Sequence, residues 1–285
     1  MRILFPTDFS DAANNAFTYA LHLAKDLQAS IYVLHTYMQP VLTATHGGQP
    51  EIVPEVYENY EFHQFESYKR HTELLRSIAI EKDLAAIPLT FLFEEGTVVS
   101  NAQEIIEREK IDFVLMGTNR AQGLIDKIFG SNTLGVIRGV KIPVLSVPRE
   151  SQYKRIKEVI FTTLFRDNDE AALQEIFTIV RPFGVRVKCV YVHKEYNAEV
   201  IGISERWRKR FQDEQLEFVF LDFKESIENT VNLYINEHGA DLLCLVKRNR
   251  NFLERIFTSS ISNRLRVHAN MATLVLQEGD DPGNF

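Results

Sequence analysis

Asp112-Phe-Val-Leu-Met116-Gly117-Thr118-Asn-Arg120-Ala-Gln-Gly123-Leu-Ile-Asp-Lys-Ile-Phe-Gly130-Ser131-Asn132-Thr133 reads as a buried strand, a glycine-punctuated loop and the first turn of a helix. Phe113 to Met116 is a short apolar run, as expected for a strand covered on both faces. Gly117 ends it, and Gly130 and Ser131 stand just before a helical pattern, with Ser131 or Asn132 as N-cap. A helix N-terminus carries unpaired N–H groups and partial positive charge, and glycine lets an anion approach the backbone. The stretch therefore suits a phosphate group at the carboxyl end of a parallel sheet, although a tight turn alone would need the same glycines.

Toward the N-terminus, Arg2 to Thr7 is a strand closed by Pro6-Thr7-Asp8, and Ser10 or Asp11 caps a helix over 12–27. Ser30 to Thr36 is a second strand, 37–59 a long excursion and 60–84 a helix. Pro88 to Phe93 is a strand, Val98 to Lys110 a helix, Asn132 to Gly139 a helix and Pro143 to Val147 a strand. Strands alternating with helices imply a parallel, helix-flanked sheet with right-handed crossovers.

The pattern then starts again. Lys157–Thr163, Val185–Val192, Leu216–Leu221, Ala240–Val246 and Ala272–Leu276 read as strands, separated by helices over 169–180, 200–211 and 226–238. Ile256-Phe-Thr-Ser259 echoes Ile128-Phe-Gly-Ser131, and Ala272–Leu276 echoes Pro143–Val147. The expected division is a first domain over 1–149, a polar joint over 149–155, a second domain over 156–278 and a flexible tail over 279–285.

Asp8 falls where the first strand ends, on the sheet edge that also carries Gly117. Its carboxylate suits an exocyclic amine such as that of adenine, and equally a helix cap or turn. Pro6-Thr7-Asp8-Phe9-Ser10 after a strand, Met116-Gly117 after the fourth strand, Gly130-Ser131 thirteen residues on, and Lys141-Ile-Pro143-Val144-Leu-Ser-Val147 together resemble the universal stress protein family. The likeness spans essentially the whole chain as a tandem pair. It implies two doubly wound α/β domains, each a five-stranded parallel sheet of order 3-2-1-4-5, paired as a pseudo-dimer through their apolar last strands. It also implies a soluble, cytoplasmic stress-response protein that binds an adenine nucleotide, ATP, in its first domain and acts as a sensor or regulator.

Carried over by position, Asp8 at the Pro6-Thr7-Asp8 turn and the backbone near Thr36 hold adenine, and Met116 and Gly117 lie near the ribose. Gly130, Ser131 and Asn132 face the phosphates, which would themselves hold most of any Mg2+. Arg120 stands where the family has a glycine, so it either contacts the phosphates or fills their space. In the second copy Leu164 replaces Asp8, and no glycine occurs between Gly239 and Gly279, so no nucleotide is expected there. The run Lys247-Arg-Asn-Arg250 reads as a solvated charged loop, His35 as a packed histidine and Trp207 as a partly exposed residue of a charged helix face.

Composition fits this frame. Of 285 residues, 45% are hydrophobic and 25% charged, as in ordinary globular chains, and no apolar run approaches membrane-spanning length. The first residues are too short an apolar stretch for a signal peptide. Net charge is −7, of which −6 falls on residues 1–150, against broad nucleic-acid binding. Cys189 and Cys244 sit in apolar strands and read as small buried hydrophobes, and the eight histidines lack zinc-binding spacing. No P-loop, G-x-G-x-x-G or G-x-S-x-G is present, so dedicated catalysis is not expected. A nucleotide-free interaction scaffold and a slow ATPase or transferase are the rival readings. A protein partner and a homodimer both stay open.

Overall fold

The computed structural model describes residues 1–39, 52–118, 131–195, 198–247 and 271–278, with backbone alone at 52–56, 167 and 228. The first half runs β1 (Arg2–Pro6), α1 (Asp11–Leu27), β2 (Ser30–Tyr37), α2 (Ile52–Glu81), β3 (Leu89–Glu95), α3 (Val98–Glu109), β4 (Phe113–Thr118), α4 (Ser131–Gly139) and β5 (Val144–Pro148). The second runs β6 (Glu158–Thr162), α5 (Asp167–Val180), β7 (Arg186–His193), α6 (Ala198–Arg210), β8 (Gln215–Asp222), α7 (Ile227–His238), β9 (Leu242–Lys247) and β10 (Ala272–Gln277).

The ten described strands form one sheet in the order β3-β2-β1-β4-β5-β10-β9-β6-β7-β8. Each half thus has the expected 3-2-1-4-5 order, and all pairings within a half are parallel. The halves join through β5 and β10, which pair antiparallel with Leu145 opposite Leu274. The apolar last strands therefore seal each other's edges inside one chain, where an open edge would invite pairing between chains.

Both faces of the sheet are covered, and the strands show it. Ile3 and Phe5 pack toward α1 while Leu4 packs on the opposite face with residues of α3 and α4. Phe113 and Leu115 alternate with Val114 and Met116 in the same way. Two-sided burial explains why these strands read as continuous apolar runs. α1 is capped at its start by Ser10, whose hydroxyl accepts from the Ala13 N–H, and ends on Gln28 in the left-handed region.

Three expectations change here. The excursion is shorter than 37–59, because Tyr37 is the last residue of β2 and α2 already starts at Ile52. Its N-terminal turns are rich in β-branched and aromatic residues, which hid them from a propensity reading. α4 begins at Ser131, so Ser131 and Asn132 both lie in its first turn and neither is its N-cap. Trp207 is buried at 1% exposure, packed on Phe165 with ring centres 5.0 Å apart. The polar joint is anchored: Tyr153 stacks on His22 and donates to Asp26, and the Asn15 side-chain amide donates to the Ser151 carbonyl. The Ile256–Ser259 echo, Arg248–Arg250 and the tail 279–285 lie outside the described residues.

No helix among the described residues is long and apolar enough to cross a membrane.

Candidate functional site

The order 3-2-1-4-5 reverses direction between β1 and β4, the switch point at which doubly wound sheets form a ligand crevice at their carboxyl edge. The β1–β4 ladder stops after Ile3–Phe113 and Leu4–Val114, whereas β1 stays paired with β2 through Pro6 and Leu34. The chain then turns sharply. Thr7 donates its N–H to the Leu34 carbonyl at 2.8 Å, and its hydroxyl accepts from the Phe9 N–H at 3.0 Å. Phe9 takes φ 59°, a left-handed conformation that few non-glycine residues adopt. Asp8 accepts from the Ser10 N–H at 3.0 Å and is exposed, so one carboxylate oxygen holds the turn on the open edge.

The other sequence-predicted residues fall around this turn. Pro6 and Thr7 are buried at the end of β1, and Thr36 is half-buried near the end of β2, opposite Glu94 of β3. Met116 is 5% exposed, with its side chain in the core, so what it offers the edge is backbone. Gly117 follows it against α1: a Cβ there would sit 2.7 Å from the Ala12 carbonyl oxygen and 3.0 Å from the Ala16 Cβ. This glycine is therefore required by helix–sheet packing. Ser131 and Asn132 are exposed in the first turn of α4, whose N-terminus the β4–α4–β5 crossover sets at the same edge. Arg120 and Gly130 lie outside the described residues.

A feature the sequence reading missed flanks the turn. The Phe9 ring lies between His71, stacked at 4.5 Å, and His35, tilted at 4.8 Å. Tyr68 stacks on His35 and packs on Phe93, and Tyr37 stacks on Phe93 at 4.5 Å. His35 is packed as expected, with Nδ1 2.9 Å from the Thr7 carbonyl. Burial pushes the Tyr68 phenol up to about 12, so it stays neutral at ordinary pH. The signal for this cluster was the spacing Phe65, Tyr68, His71 along α2, three residues apart and so on one face.

The second half repeats the turn with different chemistry. Thr163 accepts from the Phe165 N–H at 2.9 Å, and Phe165 has φ 54°, matching Thr7 and Phe9. Leu164 occupies the place of Asp8. Asp169, 1% exposed, reaches back from α5 and accepts from the Thr163 hydroxyl and the Leu164 N–H, both at 2.8 Å. The matching residue of α1 is Ala13. A built-in carboxylate thus consumes donors in the second half that have no such internal partner at position 13 of the first.

The universal stress protein family model matches residues 1–148. A universal stress protein of Methanocaldococcus jannaschii is 26% identical over 149 residues, covering 52% of this chain and 82% of that protein. The fold is shared with a universal stress protein of Archaeoglobus fulgidus DSM 4304, at TM-score 0.70 and 16% identity, covering 98% of both chains. It is also shared with a functionally unknown protein of Pseudomonas aeruginosa PAO1, at TM-score 0.58 and 11% identity, covering 98% of this chain and 93% of that one. With a family model matched over half its length on the half that carries the open turn, this chain belongs to the universal stress protein family.

Proposed function

We propose that the first half binds an adenine nucleotide, ATP, in the crevice between β1 and β4, and that the protein is a nucleotide-responsive regulator rather than a dedicated enzyme. The observation that carries this reading is the exposed Asp8 turn on the sheet edge toward which the α4 N-terminus is directed. Asp8 accepts from the adenine amine, and backbone beside Thr36 completes the base contact. Backbone at Met116 and Gly117 lies along the ribose. Gly130, Ser131 and Asn132 bind the phosphates through N–H groups and a hydroxyl, with Arg120 as a cationic neighbour and any Mg2+ carried by the phosphates. The second half, with Leu164 and the inward Asp169, binds none. Regulation then follows from linkage: ligand that binds the ordered site stabilises that state, and a partner reads the difference.

Purified protein is expected to release a nucleotide on denaturation, detected by mass spectrometry of the supernatant. Titration calorimetry with ATP is the direct measurement, and a dissociation constant weaker than about 1 mM, or about 4 kcal/mol, sinks the reading. At a ligand concentration a hundred times the dissociation constant, the chain gains about 2.7 kcal/mol of stability, read as a rise in melting temperature. Gly130→Val is expected to weaken ATP binding by at least about tenfold without lowering the melting temperature of the free protein, because a branched Cβ enters the anion's approach. Arg120→Gly decides that residue's role: tighter binding shows obstruction, weaker binding assistance.

A further inference from the structure

α4 is a nine-residue helix, too short to hold itself rigid by its own hydrogen bonds. Its last turn leaves carbonyls that need outside donors. The Val136 carbonyl accepts from the Val140 N–H, and the Gly139 carbonyl from the Gln103 side chain at 2.7 Å. The two between them are taken by the other half of the molecule. Gln277 Nε2 donates to the Ile137 carbonyl at 3.3 Å, and to the Ile142 carbonyl at 3.3 Å just before β5. Lys247 Nζ donates to the Arg138 carbonyl at 3.1 Å and to Gln277 Oε1 at 3.1 Å, so the pair braces itself.

The antiparallel junction explains this contact. Because β10 runs against β5, the carboxyl ends of β9 and β10 meet the amino end of β5, where α4 finishes. Lys247 and Gln277 are register partners there, and they stand at the places that Thr118 and Pro148 hold in the first half. Thr118 has a short hydroxyl and Pro148 no side-chain donor, so the first half has no equivalent pair to offer in return. The ammonium also complements the negative end of the α4 dipole. Lys247 is thus the last residue of β9, engaged with the first half, rather than part of a solvated loop.

We propose that Lys247 and Gln277 are positioning residues for the phosphate end of the first-half site, supplied by the second half and acting through α4. This rests on the nucleotide reading above. Holding the C-terminus of so short a helix orders its N-terminal N–H groups before ligand arrives, which lowers the cost of gathering them around an anion. The second half has thereby turned the carboxyl edge of its own inactive site into a support for its neighbour's.

The test uses the full-length chain, with Lys247→Met set against Lys247→Arg, titrated separately with ATP and with adenosine. Lys247→Met is expected to weaken ATP about five- to tenfold while adenosine changes less than about twofold, and Lys247→Arg to retain most of the ATP affinity. Amide exchange over 136–140, measured without ligand, is expected to quicken in Lys247→Met and not in Lys247→Arg. Equal losses for ATP and adenosine, or unchanged exchange in α4, overturns the proposal. If the unaltered protein binds neither ligand, the nucleotide reading fails and the exchange measurement alone decides whether the brace exists. Gln277→Leu carries the same expectations should Lys247→Met not fold.

Discussion

Gly117→Ala lowers the stability of the ligand-free protein by about 3 kcal/mol or more, and Gly117→Val by about 4 kcal/mol or more. The reason is the 2.7 Å that would separate a new Cβ from the Ala12 carbonyl oxygen, with the Ala16 methyl at 3.0 Å beyond it. Neither neighbour can swing aside. One is backbone in the first turn of α1, and the other is buried on the same helix. Relief requires α1 to lift from β4, which would disturb the Ser10 cap and the Asp8 turn that share its start. At about 2–4 °C per kcal/mol for a chain of this size, the alanine variant melts roughly 6–12 °C lower. Thermal denaturation followed by circular dichroism, with no nucleotide present, reads this directly. A variant melting within about 1 °C of the parent would show that the helix is not pinned there. The experiment also separates two meanings of a family motif. Loss of binding in such a variant reports a displaced helix and not a ribose contact, whereas Gly130→Val tests the anion site itself.

Trp207→Ala costs about 4 kcal/mol, the range for removing a fully buried tryptophan. Its indole is 1% exposed and lies under Phe165, which Tyr191 and Phe218 also touch, with ring centres 5.0 to 5.9 Å from Phe165. Deleting it leaves a cavity beneath a residue already held at positive φ, where the backbone has little freedom to collapse into the gap. Trp207→Phe, which keeps an aromatic plug, is expected to cost clearly less. Urea unfolding monitored by far-ultraviolet circular dichroism measures both, because the single tryptophan cannot be the probe once it is removed. A loss under about 0.5 kcal/mol, typical of surface positions, would contradict the burial.

Trp207 also shows where the sequence is hard to read. It stands in Glu205-Arg-Trp-Arg-Lys-Arg210, and its chain neighbours suggest water. On a helix, successive side chains point about 100° apart, so a single core residue can be framed by charges that all face outward. Arg208 stays exposed while its guanidinium lies over the Phe218 ring, and Arg210 reaches Glu170 of α5. The long stems of these cations cover apolar surface, which a count of charges does not register. The same limit applied to Lys247, whose place beside arginines suggested solvent but whose amine is spent on a carbonyl of the other half.

Local pattern was enough for the strands, their alternation with helices, the internal repeat and the parallel class. Two-sided burial writes itself into Ile3–Phe5, Phe113–Met116 and Val159–Phe161 as unbroken apolar runs, and turns need glycine, proline or a capping hydroxyl at set places. The Pro6-Thr7-Asp8-Phe9-Ser10 turn was legible for that reason, and with it the edge of the sheet that the proposed site uses. Everything that depends on residues far apart in the chain was decided by tertiary structure: Gly117 serving α1, His35 and His71 enclosing Phe9, and Lys247 with Gln277 holding the end of α4. Hydrogen bonds and steric contact act over a few ångströms, whereas these partners lie from 26 to 140 residues apart, so only the folded sheet brings them within range.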